Sequence, residues 1–280
     1  MSNDRDSMKN ILVVALAVCF VCSVVVSSAA VLLKPQRLVN KQLDRNENIL
    51  RAVGLYDDSG SAASISGDGA AGGNTAGKTI EELFQQFEVR LADLEEKRLL
   101  SPLEASDLGI DPATYEQRKA ARDPTLSKPL GTGEDIASIS RRARYSTVYI
   151  LRQGNDIDSI VIPIHGYGLW SILYGYIALE GDLQTVRGIT FYEHGETAGL
   201  GGEVDNPAWK ALWTGKQIYA DDQVALKVIK GNVNPASASA GYQIDGLSGA
   251  TLTSRGVEYL IAYWLGDDGF GPILDKLRRG

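Results

Sequence analysis

Between Asn10 and Leu33 the chain carries no charged residue, and Ile11–Leu33 is an unbroken run of 23 Val, Leu, Ile, Ala, Cys, Phe and Ser residues. A helix rising about 1.5 Å per residue over that length covers the roughly 30 Å hydrocarbon core of a bilayer with some tilt. The run predicts one transmembrane helix over 11–33, with residues 1–10 as a short tail before it. A cleaved signal peptide competes, because Ser28-Ala29-Ala30 resembles a small-residue cleavage site. The run is longer than a signal h-region and continues through Val31-Leu32-Leu33, which favours an uncleaved anchor. A lipoprotein signal at Leu16-Ala17-Val18-Cys19 fails at Val18, where a small residue is expected.

Ala15, Cys19, Ser23 and Ser27 recur every four residues, a spacing that lets another transmembrane helix approach closely. The span holds no carboxylate, so it reads as a docking anchor rather than an ion path. Arg5 and Lys9 precede it, while Lys34, Arg37, Lys41 and Arg45 follow. That count alone would keep the large domain in the cytoplasm, but long domains translocate largely regardless of flanking charge.

Composition excludes several classes. Both cysteines, Cys19 and Cys22, lie in the span, and only His165 and His194 are present. An iron–sulfur cluster needs about four thiolates, and a structural zinc site needs several Cys or His, so no metal site is expected. A net charge of −7 argues against nucleic acid.

Residues 38–53 read as a helix, and 57–77, rich in Gly, Ser and Ala, as a linker. The expected domains are therefore a juxtamembrane helix and linker over 34–78 and a folded domain over 79–280. From Thr79 an amphipathic helix is expected, with Ile80, Leu83, Phe84, Phe87, Leu91 and Leu94 on one face. Strands are expected at Thr147–Leu151, Ser159–Ile164 and Val224–Ile229, with a hairpin around Gly181-Asp182. Helices segregated from hairpin-connected strands give an α+β domain: a mainly antiparallel sheet flanked by helices.

Gly72-Gly73-Asn74-Thr75-Ala76-Gly77-Lys78-Thr79 matches the P-loop pattern, but Ser-Ile-Ser-Gly-Asp-Gly-Ala-Ala before it is no buried strand. Thr79 and Glu82 instead make a capping box for the next helix. Nucleotide hydrolysis is set aside.

Near the C-terminus, Asp245-Gly-Leu-Ser-Gly-Ala-Thr-Leu-Thr-Ser254 runs into a helical pattern over Arg255–Leu265, with Val257, Leu260, Ile261, Trp264 and Leu265 on one face. Ser248-Gly249-Ala250-Thr251 before a helix presents backbone N–H groups and a positive helix end, which favour a phosphate. The plainer alternative is a turn with Thr251 or Thr253 as N-cap. Two further segments stand out: His165-Gly-Tyr-Gly-Leu-Trp-Ser171 and Glu196-Thr-Ala-Gly-Leu-Gly-Gly-Glu-Val204. Gly199, Gly201 and Gly202 permit close backbone approach to a planar ligand. Glu196 and Thr197 can hydrogen-bond the polar edge of such a ligand, and Trp170 and Leu200 can supply apolar contact to its faces. Ordinary core packing for Trp170 and a plain turn for the glycines are the alternatives. Both histidines read as structural or solvated.

Together these segments, with G-L-W-S-I-L-Y-G-Y, G-L-G-G-E-V-D-N-P-A-W and W-L-G-D-D-G-F-G-P, resemble the C subunit of the sodium-translocating NADH:quinone oxidoreductase. Ser248-Gly249-Ala250-Thr251 resembles the flavinylation motif of the FMN-binding domain family, and the G subunit of the Rnf electron-transport complex, which shares that motif and the anchor, is the alternative, as is a membrane-anchored extracytoplasmic binding or sensor domain without flavin. One departure is Ala198, where the family pattern E-T-P-G-L-G has Pro; Pro would stiffen that turn.

The resemblance implies a soluble FMN-binding domain and FMN bound covalently as a phosphoester to Thr251. Ser248, Gly249, Ala250, Leu252, Thr253, Glu196, Thr197, Gly199, Leu200 and Trp170 are its implied neighbours. It implies an electron relay within a sodium-pumping, ubiquinone-reducing complex of the inner membrane, with the large domain in the periplasm. The implied partners are the other subunits and a flavin transferase that uses FAD and magnesium.

Overall fold

The computed structural model describes residues 8–56 and 78–279, in two compact units that divide between Arg45 and Asn46. α1 (Met8–Leu32) matches the apolar run, is exposed throughout, and is long and apolar enough to cross a membrane. α2 (Lys34–Val53) follows, and its buried residues, Ile49, Leu50, Ala52 and Val53, all belong to the second unit. Thus the folded unit reaches back well before Thr79. The linker residues 57–77, including Gly72–Gly77 of the P-loop-like string, lie outside the described residues.

Thr79 opens α3 (Ile80–Phe84) with the expected capping box: its hydroxyl accepts from the Glu82 N–H, and the Glu82 carboxylate accepts from the Thr79 N–H at 2.9 Å. The helix expected to continue to Leu94 stops there. Phe87–Asp93 is instead strand β1, paired residue for residue with a central strand over Tyr145–Leu151. Phe87 and Leu91 fit a four-residue period, but Phe87, Val89 and Leu91 fit a two-residue period equally well. Long-range pairing decides between them.

After β2 (Arg98–Leu99) come two short helices, α4 (Pro102–Asp107) and α5 (Gln117–Ala120), and a ribbon of β3 (Ser127–Pro129) with β4 (Arg141–Ala143). Four long strands then form a meander: β5 (Tyr145–Gln153), β6 (Asp156–Tyr167), β7 (Ile172–Glu180) and β8 (Val186–Glu193). The sheet order is β2-β1-β5-β6-β7-β8, with every neighbouring pair antiparallel. The hairpin at Gly181-Asp182 is the β7–β8 turn, where the Asp182 carboxylate accepts from the N–H groups of Gln184 and Thr185.

Strand alternation buries both faces of this sheet. Val148, Ile150, Ile160, Ile162, Ile177 and Leu179 enter one core, while Tyr149, Leu151, Val161, Tyr176 and Ala178 enter another with Ile49, Leu50 and Leu83. Past α6 (Pro207–Ala211), the strand expected at Val224–Ile229 is broken. β9 (Tyr219–Ala220) pairs with β10 (Gln223–Val224), and β11 (Lys227–Val228) pairs in parallel with β12 (Gln243–Ile244). Between them the N–H groups of Ala225 and Leu226 both turn onto the Ile218 carbonyl. α7 (Thr251–Trp264) and α8 (Gly271–Arg279) close the first core. α7 buries Val257, Leu260, Ile261 and Trp264, in line with its periodicity, but starts four residues before Arg255. Each such side chain contributes about 1.5–3 kcal/mol of burial. The α+β architecture expected from sequence is the one observed.

Candidate functional site

The three sequence segments converge on the first turn of α7. Gly249 sits at φ +71°, and a side chain there would be strained. Thr251 and Leu252 are exposed, whereas Thr253 and Ser254 are buried. Neither threonine caps the helix: the N-cap is Ala250, with no side-chain hydrogen bond. The first N–H groups of α7 therefore lack a capping side chain, and with the helix dipole they make a fit for a phosphate beside the Thr251 hydroxyl.

The loop before the helix is fixed from several sides. The Ser254 hydroxyl accepts from the Leu247 N–H at 2.9 Å and donates to the Ala250 carbonyl at 3.1 Å. The Asp245 carboxylate accepts from the Val233 N–H at 2.8 Å, and its carbonyl accepts from Trp209 Nε1 at 2.8 Å. A groove of about 210 Å³ opens beside Thr251, with Lys230, Arg255 and Glu258 among its walls.

Glu196 lies at the centre and is only 8 % exposed. Its carboxylate accepts from the N–H groups of Leu169, Trp170 and Ser171 and, at 2.7 Å, from the Thr253 hydroxyl. The sequence places this carboxylate on the edge of a ligand; the structure commits it to four donors of the protein. Burial pushes its pKa upward, but the hydrogen bonds from Thr253, Trp170, Leu169 and Ser171 outweigh that and hold it below the ordinary value. Thr253 likewise is fully buried, with its hydroxyl committed to Glu196.

His194 supports the same loop. Its Nδ1 accepts from the Glu196 N–H at 3.2 Å, which leaves Nε2 to carry the proton and donate to Asp205 at 2.7 Å. His165 is stacked on Tyr174 and lies tilted against Trp264, and burial, aided by the Arg118 charge, pushes its pKa down to about 3. Both are structural, as the sequence suggests.

Trp170 is 65 % exposed and Leu200 44 %, so neither serves the core. A Cβ built on Gly249 would lie 3.0 Å from Leu200 Cδ2, so Leu200 closes over the turn that ends in Thr251. Thr197, Ala198 and Gly199 are exposed or nearly so, and the Thr197 carbonyl accepts from the N–H groups of Leu200 and Gly202. The turn closes with Ala198 in place of Pro. Ser248 and Gly249 are exposed and Ala250 is buried under the loop. Exposed apolar Trp170, Leu200 and Leu252 around an exposed hydroxyl and an uncapped helix start suit a planar, phosphorylated ligand.

Gly168, Gly256 and Ser254 escape a reading of the sequence. A Cβ on Gly256 would strike the Tyr167 carbonyl and Gly168 Cα, so α7 rests directly on the backbone where β6 ends. A glycine inside an otherwise apolar helical stripe is the available signal.

The sequence pattern of the FMN-binding domain family matches residues 168–266. Over 99 % of its length the chain is 47 % identical to the C subunit of the Na(+)-translocating NADH-quinone reductase of Pseudomonas aeruginosa, covering 98 % of that protein. It is 42 % identical to the corresponding protein of Vibrio anguillarum, over 100 % of this chain and 99 % of that one. The crystal structure of Shewanella oneidensis NqrC superposes with a TM-score of 0.69 at 30 % identity, covering 86 % of this chain and 100 % of that one.

Proposed function

The chain belongs to the NqrC family, the C subunits of the Na(+)-translocating NADH-quinone reductases, and from that premise we propose that it relays electrons through an FMN esterified to Thr251. Family membership makes it one subunit of an oxidoreductase complex and sets aside the Rnf G-type subunit. The FMN-binding domain sets aside a sensor without flavin.

The observation that carries the attachment is the contrast within one turn of helix. Thr251 is exposed at an uncapped helix start near Leu200, whereas Thr253 is buried and bonded to Glu196. In the proposed maturation, the Thr251 hydroxyl attacks the FMN phosphorus of FAD, the diphosphate bond breaks and AMP leaves. The hydroxyl proton is lost, and a separate flavin transferase with magnesium supplies catalysis. Bound FMN would supply the redox chemistry, while the protein fixes its position and potential. Ser248, Gly249, Ala250 and Leu252 would flank the phosphate, and Trp170, Leu200, Thr197 and Gly199 the ring.

In this reading α1 is an uncleaved anchor in the inner membrane and residues 34–280 are periplasmic, with the FMN-binding domain over 79–280. A covalent link suits a cofactor used where lost FMN is not readily replaced. The test is Thr251→Ala, made with the transferase present and run on a denaturing gel under ultraviolet light. Loss of the fluorescent band, with Gly241→Ala still fluorescent, supports the assignment; a fluorescent Thr251→Ala band defeats it.

A further inference from the structure

Two separate segments of the chain meet on a carboxylate carried by a third. Glu196 Oε1 accepts from Trp170 N at 2.9 Å and Leu169 N at 3.1 Å, and Oε2 from Thr253 Oγ1 at 2.7 Å. The chain leaves room for it: a Cβ on Gly168 would sit 2.7 Å from Oε1, and one on Gly201 would sit 2.7 Å from Oε2. None of these donors is cationic, so a buried negative charge stays uncompensated by them beside the first turn of α7. That turn begins with Thr251, and the bonded backbone carries Trp170.

We propose that Glu196 is a positioning residue for the flavin: it ties the Leu169–Ser171 segment to α7, presents Thr251 to the transferase, and biases the bound cofactor with its charge. The proposal rests on attachment at Thr251. Without the tie, Trp170 and the start of α7 lose their common reference, and small misplacements of a reacting group are costly. A fixed anion near a flavin disfavours added electrons, so it lowers the midpoint potential.

Three variants of the full chain, produced with the transferase, separate position from charge. In Glu196→Gln one oxygen keeps the backbone N–H groups, and the amide donates to the Thr253 hydroxyl, which reverses its role. Its in-gel flavin fluorescence should equal wild type, while its flavin midpoint potential is more positive. Glu196→Ala and Thr253→Val break the tie, and their rate of flavin loading should fall roughly tenfold or more, with the circular dichroism of a folded domain. If Glu196→Ala does not fold, Thr253→Val and Glu196→Gln carry the test. Wild-type loading of the tie-breaking variants, or an unchanged potential in Glu196→Gln, overturns the proposal. A Thr251→Ala control that still fluoresces would instead defeat the attachment site, whatever Glu196 does.

Discussion

The Thr253 hydroxyl donates to Glu196 Oε2 at 2.7 Å, joining residues 57 positions apart in the chain. Both side chains are buried, and the bond connects the start of α7 to the loop after β8. Thr253→Val keeps the shape and removes the donor. It is expected to lower unfolding stability by about 1–3 kcal/mol, because a buried acceptor loses its partner. Urea unfolding followed by tryptophan fluorescence checks this, and an unchanged midpoint would show that the bond contributes nothing.

Acid should weaken the fold through two carboxylates. Glu196 is held below its ordinary 4.5 by its four donors, against the opposing effect of burial. Burial raises the pKa of Asp93, but the Arg144 guanidinium and the N–H groups of Glu96 and Glu95 bring it below the ordinary 3.8. A carboxyl with a depressed folded pKa stabilises the fold above its unfolded value, and that contribution disappears as pH falls through the folded value. Their share of stability should hold from pH 7 to about 5 and decline below it. Asp93→Asn combined with Glu196→Gln should flatten the decline in urea midpoints measured below that point. An equally steep decline in the double variant would contradict the assignment.

Gly256→Ala is expected to destabilise by about 1–3 kcal/mol, since the added methyl meets backbone at Tyr167 and Gly168 that cannot turn aside. Gly241→Ala is the control, because a Cβ there meets nothing within 4 Å; its effect should stay within about 0.5 kcal/mol. Thermal melts of the two variants decide the comparison.

Much of this is legible in the sequence for a local reason. The α7 stripe, the Thr79–Glu82 capping box and the β7–β8 hairpin each depend on residues near one another in the chain. β1 reads as helix because Phe87, Val89 and Leu91 fit both periods, and only the distant β5 settles which is used. The buried end of α2 is hidden because Ile49, Leu50 and Val53 belong to a helix that continues from the membrane span, while the sheet that covers them comes about a hundred residues later. The three site segments declare themselves by their glycines and polar residues. Glu196 reads as a ligand contact because a sequence gives no direction for a side chain, and its donors lie on two other segments.

The anchor is expected to be a packing surface. Ala15, Cys19, Ser23 and Ser27 are all exposed on α1, and the Ser23 hydroxyl bonds back to the Cys19 carbonyl at 2.7 Å, which keeps it narrow. Ser23→Leu should leave a flavin-bearing subunit in the membrane that no longer copurifies with the other subunits. Val24→Leu should assemble normally. If both variants copurify at wild-type yield, the stripe is coincidence.

Topology has its own test. The domain expressed in the cytoplasm without α1 should be colourless, and the same domain exported with the transferase should be yellow. Efficient flavinylation of the cytoplasmic form, where the transferase is confirmed to be external, would contradict a periplasmic domain.

The central claim is that this chain works as a covalent flavoprotein through one hydroxyl, and the mass of the intact purified protein tests it most directly. The expected result is a mass raised by FMN less one water, with fragmentation placing the addition on Thr251. An unmodified mass from cells with an active transferase, or flavin carried on any other residue, would contradict it.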